Sequence, residues 1–367
     1  MTTFYFRRSV EKAFQLDEPP SNLFLSLEDS LATNPPYITS VVDDVMYILN
    51  QVLDKVFSSS QKVVFASVIP TISRILSSDF IGMIQRKMRD EFYPKAAVQG
   101  ALPPEDTTIS FLVLINNLDV AIEYTQRIVR AHVGPGSETP ELEVLATSKV
   151  LDRFPFEEDA FTVCNVIRAL ETGFTGKANE LIGDGIFVAF RNVIKPRLRP
   201  LLADAFRDVD YQMSTPNLDN THISVEPNGR RSADDVGAVQ DIFQKGWDLL
   251  TKPITRILTP RSAEKLLAIV VSHLSELLEK RIWSYYGRIG ALGGVRLERD
   301  IADILSIVAR DGKYRLRDAF ARCTQICMLM NMEEDEWDEL RDGAKTKDGD
   351  IQWQLNEEER LRARSMI

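Results

Sequence analysis

The sequence predicts an all-α protein, an elongated rod of two consecutive helical bundles. Three observations carry that reading. Apolar residues recur at three- and four-residue steps along most of the 367 positions. Strand-like alternation bounded by hairpin turns is sustained nowhere. One turn-rich polar stretch, residues 213–235, separates two periodic regions. With 44% hydrophobic residues the chain can bury a sizeable core in each of two domains of about 150 residues.

The elements follow in order. Ser40 is the expected N-cap of a helix, with Asp43 as its capping-box partner. Val41, Val45, Ile48, Leu49, Val52 and Val56 form its apolar face, and the serines at 58–60 end it. Residues 61–76 form the next helix through Ile69 and Ile72, with Pro70 expected to kink or break it. Phe80, Ile81, Ile84 and Met88 extend a helical face to Phe92. After Pro103 and Pro104, Ile109, Leu112, Leu118, Ile122 and Val129 predict a long stripe over residues 107–133, stopped by the Gly134–Gly136 loop. Runs at 141–154 and 157–194 follow, and Pro196 and Pro200 mark a turn and a short closing helix ending near Phe206. Beyond the polar stretch, helices are expected at 236–250, 262–286, 297–310, 316–330, 333–341 and from Asn356 to about Arg364. The expected organisation is a bundle over 1–212, a linker over 213–235 and a second bundle over 236–367.

Charge and motifs exclude several functions. Forty-four basic against fifty-four acidic residues leave a net charge of −10, which argues against a nucleic-acid protein with a generally basic surface. The best apolar run, residues 266–278, is broken by His273 and Glu276 and falls short of the ~20 residues of a spanning helix. No apolar segment follows the first arginines, so no signal peptide is expected. Three cysteines cannot build a disulfide framework and point to a reducing compartment. These features together lead to the expectation of a soluble, acidic, intracellular protein.

Candidate chemistry is sparse. Gly287, Gly290, Gly293 and Gly294 lack dinucleotide spacing and follow a helical element, so they read as a helix–helix turn with left-handed glycines. Cys323 and Cys327 are one helical turn apart with no further ligand near in sequence, and Phe320, Ile326 and Leu329 around them favour buried thiols over zinc. The acidic run 333–339 lacks the EF-hand pattern and reads as a solvated helix face. No nucleophile-elbow, zinc-protease or P-loop motif occurs, so neither enzymatic activity nor a cofactor nor a metal is expected. Lys195, Arg197 and Arg199 form a basic patch for a partner or an anionic membrane, at about 1 kcal/mol per cation. Covering a bundle surface is the plainer reading.

Several segments together resemble the C-terminal half of the fourth-subunit family of the conserved oligomeric Golgi complex, a multisubunit vesicle tether. They are Glu11-Lys-Ala-Phe-Gln-Leu-Asp17, Ser40-Val-Val-Asp-Asp-Val-Met-Tyr-Ile48, Ser78-Asp-Phe80 with Lys87-Met-Arg89, and Ser110-Phe-Leu-Val-Leu-Ile-Asn-Asn117. Phe190 and Ile194-Lys-Pro196 follow. The most specific part is Gly293-Gly294, Arg317-Asp-Ala-Phe-Ala-Arg322, Met330-Asn331 and Trp353-Gln-Leu355 ahead of Glu359. The likeness runs nearly end to end, departing at 19–34 and 213–235. It implies a helical-rod tethering fold and a fragment of a longer protein. It also implies a non-enzymatic role in retrograde vesicle transport that keeps glycosylation enzymes in place. Sibling subunits and the SNARE proteins and their regulators would be partners, at the cytoplasmic face of the Golgi membrane.

Arg322 raises a local question. It lies among Phe320, Cys323, Ile326 and Leu329, so its guanidinium must snorkel to water or find a carboxylate. Glu357, Glu358 and Glu359 follow the expected anchor Trp353. The resemblance selects Glu359, implying an Arg322–Glu359 ion pair that pins the C-terminal helix.

Overall fold

Periodic apolar sequence becomes helix when one face can be buried, and this holds in both halves of the chain. The computed structural model describes residues 2–31, 34–95, 103–134, 150–212, 237–310, 313–343 and 352–367, and among these no strand occurs. The class is all-α. The stretch 213–235, most of the run 141–154, Pro135 and Gly136 lie outside the described residues. Two units interleave in sequence: Met1–Val193 with Lys252–Leu266, and Ile194–Thr251 with Leu267–Ile367.

In the first unit, α1 (Thr2–Gln15) packs on α2 (Ser40–Ser58). Val41, Val45, Leu49, Val52 and Val56 of α2 are buried. The expected Ser40–Asp43 cap is not what starts this helix. Thr39 is the N-cap, without a side-chain cap bond. Asp17 accepts from Val41 N at 3.2 Å, and Ser40 Oγ accepts from Glu18 N at 3.0 Å. The first turn is therefore satisfied by the preceding segment, which the local pattern could not reveal.

Helix α3 (Lys62–Glu91) contains π turns at Leu76–Phe80 and Lys87–Glu91. Pro70 lies inside it without ending it, on the exposed side where the lost amide bond costs least. By length and composition α3 is apolar enough to cross a membrane, with mean hydropathy 1.3, which corrects the expectation that no run approaches that length. Its scattered serines and charges disguise the average. Phe65, Ile69, Ile72, Ile75, Phe80 and Ile84 are buried, and the helix packs on α1 and on α5 (Glu157–Ala189).

Helix α4 (Glu105–Val133) packs on α2 and α5. It is buried on all sides from Phe111 to Ile122, wider than the expected stripe, as a central helix must be. That burial includes Asn116, Asn117 and Asp119. Asn116 donates to Tyr37 O and Ile257 O and accepts from Thr259 N. Asp119 accepts from Thr259 Oγ1 at 2.6 Å and from Arg261 at 3.2 Å. These bonds tie residues 257–261 into the first unit, which is why the division differs from a single boundary at 213–235.

In the second unit, α6 (Lys195–Ala205) and residues to 212 join α7 (Ala238–Thr255) up to Thr251. Leu201 meets Gly246 so closely that a Cβ there would lie 2.2 Å from Leu201 Cδ1. The unit also holds α8 (Pro260–Trp283) from Leu267 onward and α9 (Ala291–Val308). Next come a 3-10 turn (Tyr314–Phe320), α10 (Ala321–Asn331), α11 (Glu334–Gly343) and α12 (Glu357–Arg364).

The glycine cluster divides its labour, correcting the expectation of four turn residues. Gly287 takes a left-handed φ of +66°, and Gly290 is the extended N-cap of α9. Gly293 and Gly294 are helical and make room: a Cβ on Gly293 would lie 1.8 Å from Tyr211 O. Tyr211 is buried there, its hydroxyl donating to Asp300 at 2.6 Å. Burial, and next Asp300, push the phenol's pKa up, while burial raises that of Asp300.

Candidate functional site

Arg322, in the first turn of α10, is the hub of the second unit's polar surface. Its Nε and Nη2 donate to Glu279 of α8 at 2.9 and 2.7 Å, a bidentate pair. Nη2 also reaches Glu359 Oε1 at 2.7 Å, and Nη1 reaches Glu359 Oε2 at 3.3 Å and Gln354 O at 2.8 Å. The side chains are 34% (Arg322), 20% (Glu279) and 30% (Glu359) exposed, so solvent screens the cluster only in part. The hydrogen bond from Arg322 is the largest influence holding both carboxyls below their ordinary pKa.

Glu359 has a second duty. Asn356 Oδ1 accepts from Glu359 N at 2.8 Å, and Glu359 Oε2 accepts from Asn356 N at 2.9 Å, a reciprocal capping box that starts α12. One carboxylate thus begins the helix and ties it to α10. Gln325, one turn beyond Arg322, donates to Gln352 O at 2.9 Å and accepts from Gln354 N at 2.9 Å.

Trp353 is half-buried under the Arg360 guanidinium, 5.2 Å from its ring centroid. The segment's deepest side chains are Leu355, Ala363 and Met366, which enter the core. Arg362 lies over Trp283 at 4.7 Å and Tyr286 at 5.5 Å.

The three basic residues differ in exposure. Lys195 and Arg199, one turn apart, are exposed, while Arg197 is half-buried and burial lowers its pKa. Cys323 and Cys327 are buried free thiols, Cys323 facing Ser275 O at 3.5 Å with its pKa pushed up to about 12. Among the described residues no group of three metal-ligating side chains converges.

The family described as conserved oligomeric Golgi complex subunit 4, C-terminal, matches residues 111–362, more than half of the chain. The chain belongs to that family. A second family, the COG4 transport protein middle α-helical bundle, matches residues 1–88. Conserved oligomeric Golgi complex subunit 4 of Saccharomyces cerevisiae is 23% identical over an alignment of 429 positions, covering 99% of this chain and 48% of the yeast protein. The Arabidopsis thaliana protein of the same name is 24% identical over 353, covering 96% and 42%. The Homo sapiens one is 21% identical over 379, covering 97% and 43%. The chain thus spans less than half the length of these relatives. Glu279, Arg322 and Glu359 all fall within the segment matched to the C-terminal family.

Proposed function

We propose that this chain is a non-enzymatic scaffold segment of a Golgi vesicle tether, acting in retrograde intra-Golgi transport and so in maintaining glycosylation. It works from the cytoplasmic face of the Golgi membrane, holding sibling subunits of the complex and engaging SNARE proteins and their regulators. The family match over residues 111–362 carries this reading. The chemistry of the described surface supports it. In the first unit a cleft of about 680 Å³ is lined by Pro35, Pro36, Ile122, Ile257 and Leu258. Its Asp119 accepts from Thr259 Oγ1 and Arg261, so that carboxylate is engaged in holding the fold. In the second unit the charge of the Arg322 cluster is engaged in fastening α12.

The alternative, a peripheral lipid-binding module, rests on Lys195 and Arg199. Two cations at about 1 kcal/mol each supply far less than stable membrane attachment needs. Co-elution of the purified chain with purified sibling subunits tests the scaffold reading. A stable, salt-resistant complex supports it. Elution apart from every sibling, with salt-sensitive flotation on anionic liposomes lost in Lys195→Glu/Arg199→Glu, would instead favour the lipid module.

A further inference from the structure

Ser365 closes the sequence Arg360-Leu-Arg362-Ala-Arg364-Ser365, which sets arginines five, three and one residues ahead of an exposed hydroxyl. Protein kinases with a carboxylate-lined peptide groove select cations at such offsets and read them from an extended backbone. We propose that Ser365 is a phosphorylation site for an arginine-directed serine/threonine kinase, and that docking of α12 controls access to it.

In the docked state the motif is occupied throughout. Arg362 lies over Trp283 and Tyr286, Arg360 over Trp353, and Arg364 donates to Met332 O. The backbone is helical to Arg364, and Ser365 N donates to Leu361 O and Arg362 O, both at 3.2 Å. On the other flank Met366 is fully buried, and its carbonyl accepts from Gly287 N at 3.3 Å. A groove that takes an extended strand has no strand to take. Letting go of Arg322, Gln325, Met332 O and the Trp283–Tyr286 pair frees the backbone with Arg362 and Arg364, while Arg360 stays over Trp353 of the same segment.

Modification would hold that state. The γ-phosphoryl of MgATP transfers to Ser365 Oγ, forming the P–O ester as the bond to ADP breaks, and the hydroxyl proton passes to the kinase's base. Ser365 Oγ now donates to Arg362 O at 3.0 Å and sits 3.2 Å from Tyr286 OH. The ester loses that proton. Its charge falls at the C-terminal, negative end of the α12 dipole and draws Arg362 off its two rings. The inference stands on the geometry of α12 and is independent of the tether reading.

The experiment is phosphorylation of the purified chain by the catalytic subunit of an arginine-directed kinase with labelled MgATP, with the acceptor mapped by mass spectrometry. Label at Ser365 is expected to be slow in the parent protein and absent in Ser365→Ala. It should be at least about tenfold faster in Arg322→Ala and Glu359→Gln, which remove charge-assisted bonds to α12. Glu359→Gln, with its helical circular dichroism matched to the parent, keeps the test independent of whether Arg322→Ala folds. No label at Ser365 in any variant, or equal rates in the parent and Glu359→Gln, would overturn the proposal.

Discussion

Arg322 commits all five of its N–H groups to Glu279, Glu359 and Gln354 O, so three separate segments hang on one guanidinium. Arg322→Trp leaves two carboxylates facing each other and adds a ring to a filled site. It should cost about 3 kcal/mol, read from the denaturation midpoint, with α12 loosened and less soluble protein. An unchanged midpoint contradicts the assignment. The pH dependence has a definite sign. Both carboxyls have folded pKa values below the ordinary ones, so their contribution is present above the ordinary carboxylate range and is lost as pH falls through the folded values. The stability gap between parent and Arg322→Ala should therefore be full at pH 7 and shrink below about pH 4. A gap that widens on acidification would refute the pairing. Sequence pointed to the demand at Arg322 because an arginine among apolar neighbours needs a counter-charge. It missed Glu279 because the bond spans forty-three positions between helices. The one available signal was its setting among Leu277, Leu278 and Ile282, all buried.

Helices are where the periodic pattern was most informative and where packing most often corrected it. Period alone placed α2 and α4, though it extended α10 back over what is a 3-10 turn at Tyr314–Phe320, and it could not show that α4 is buried all round, because Asn116, Asn117 and Asp119 look like a solvated face until their partners are seen. The glycines of α5 and α9 separate by the same logic. Gly183 of α5 has nothing within 4 Å of where a Cβ would stand, whereas a Cβ on Gly293 would stand 1.8 Å from Tyr211 O. Gly183→Ala should stabilise the protein by up to about 1 kcal/mol, and Gly293→Ala should destabilise it and release Tyr211. Thermal melts of the two variants moving in the same direction would refute this division. Tyr211→Phe removes the donor to Asp300 at 2.6 Å and should cost about 1–3 kcal/mol, because it takes a hydrogen bond from a buried carboxyl.

For the whole chain, the sequence located a break in periodicity but not which side its neighbours join, since residues 194–212 and 252–266 are assigned by side chains distant in sequence. Early protease cleavage is expected between residues 213 and 235, where Pro216, Pro227 and Asn228-Gly229 interrupt the apolar pattern. The two fragments should still co-elute under native conditions, because Leu201 and Tyr211 on one fragment pack against Gly246 and Gly293 on the other. Fragments that separate without denaturant would contradict the unit assignment. The tether role itself rests on family membership, and only part of it was legible: the order of short segments pointed to the family, while no local chemistry names a partner. Its most direct test is affinity purification of the tagged chain from cells, with quantitative mass spectrometry, beside Arg322→Trp as a destabilised control. Enrichment of the other subunits of the Golgi tethering complex is expected, reduced in proportion to soluble protein in the variant; a soluble, folded parent chain that enriches none of them would refute the tether role.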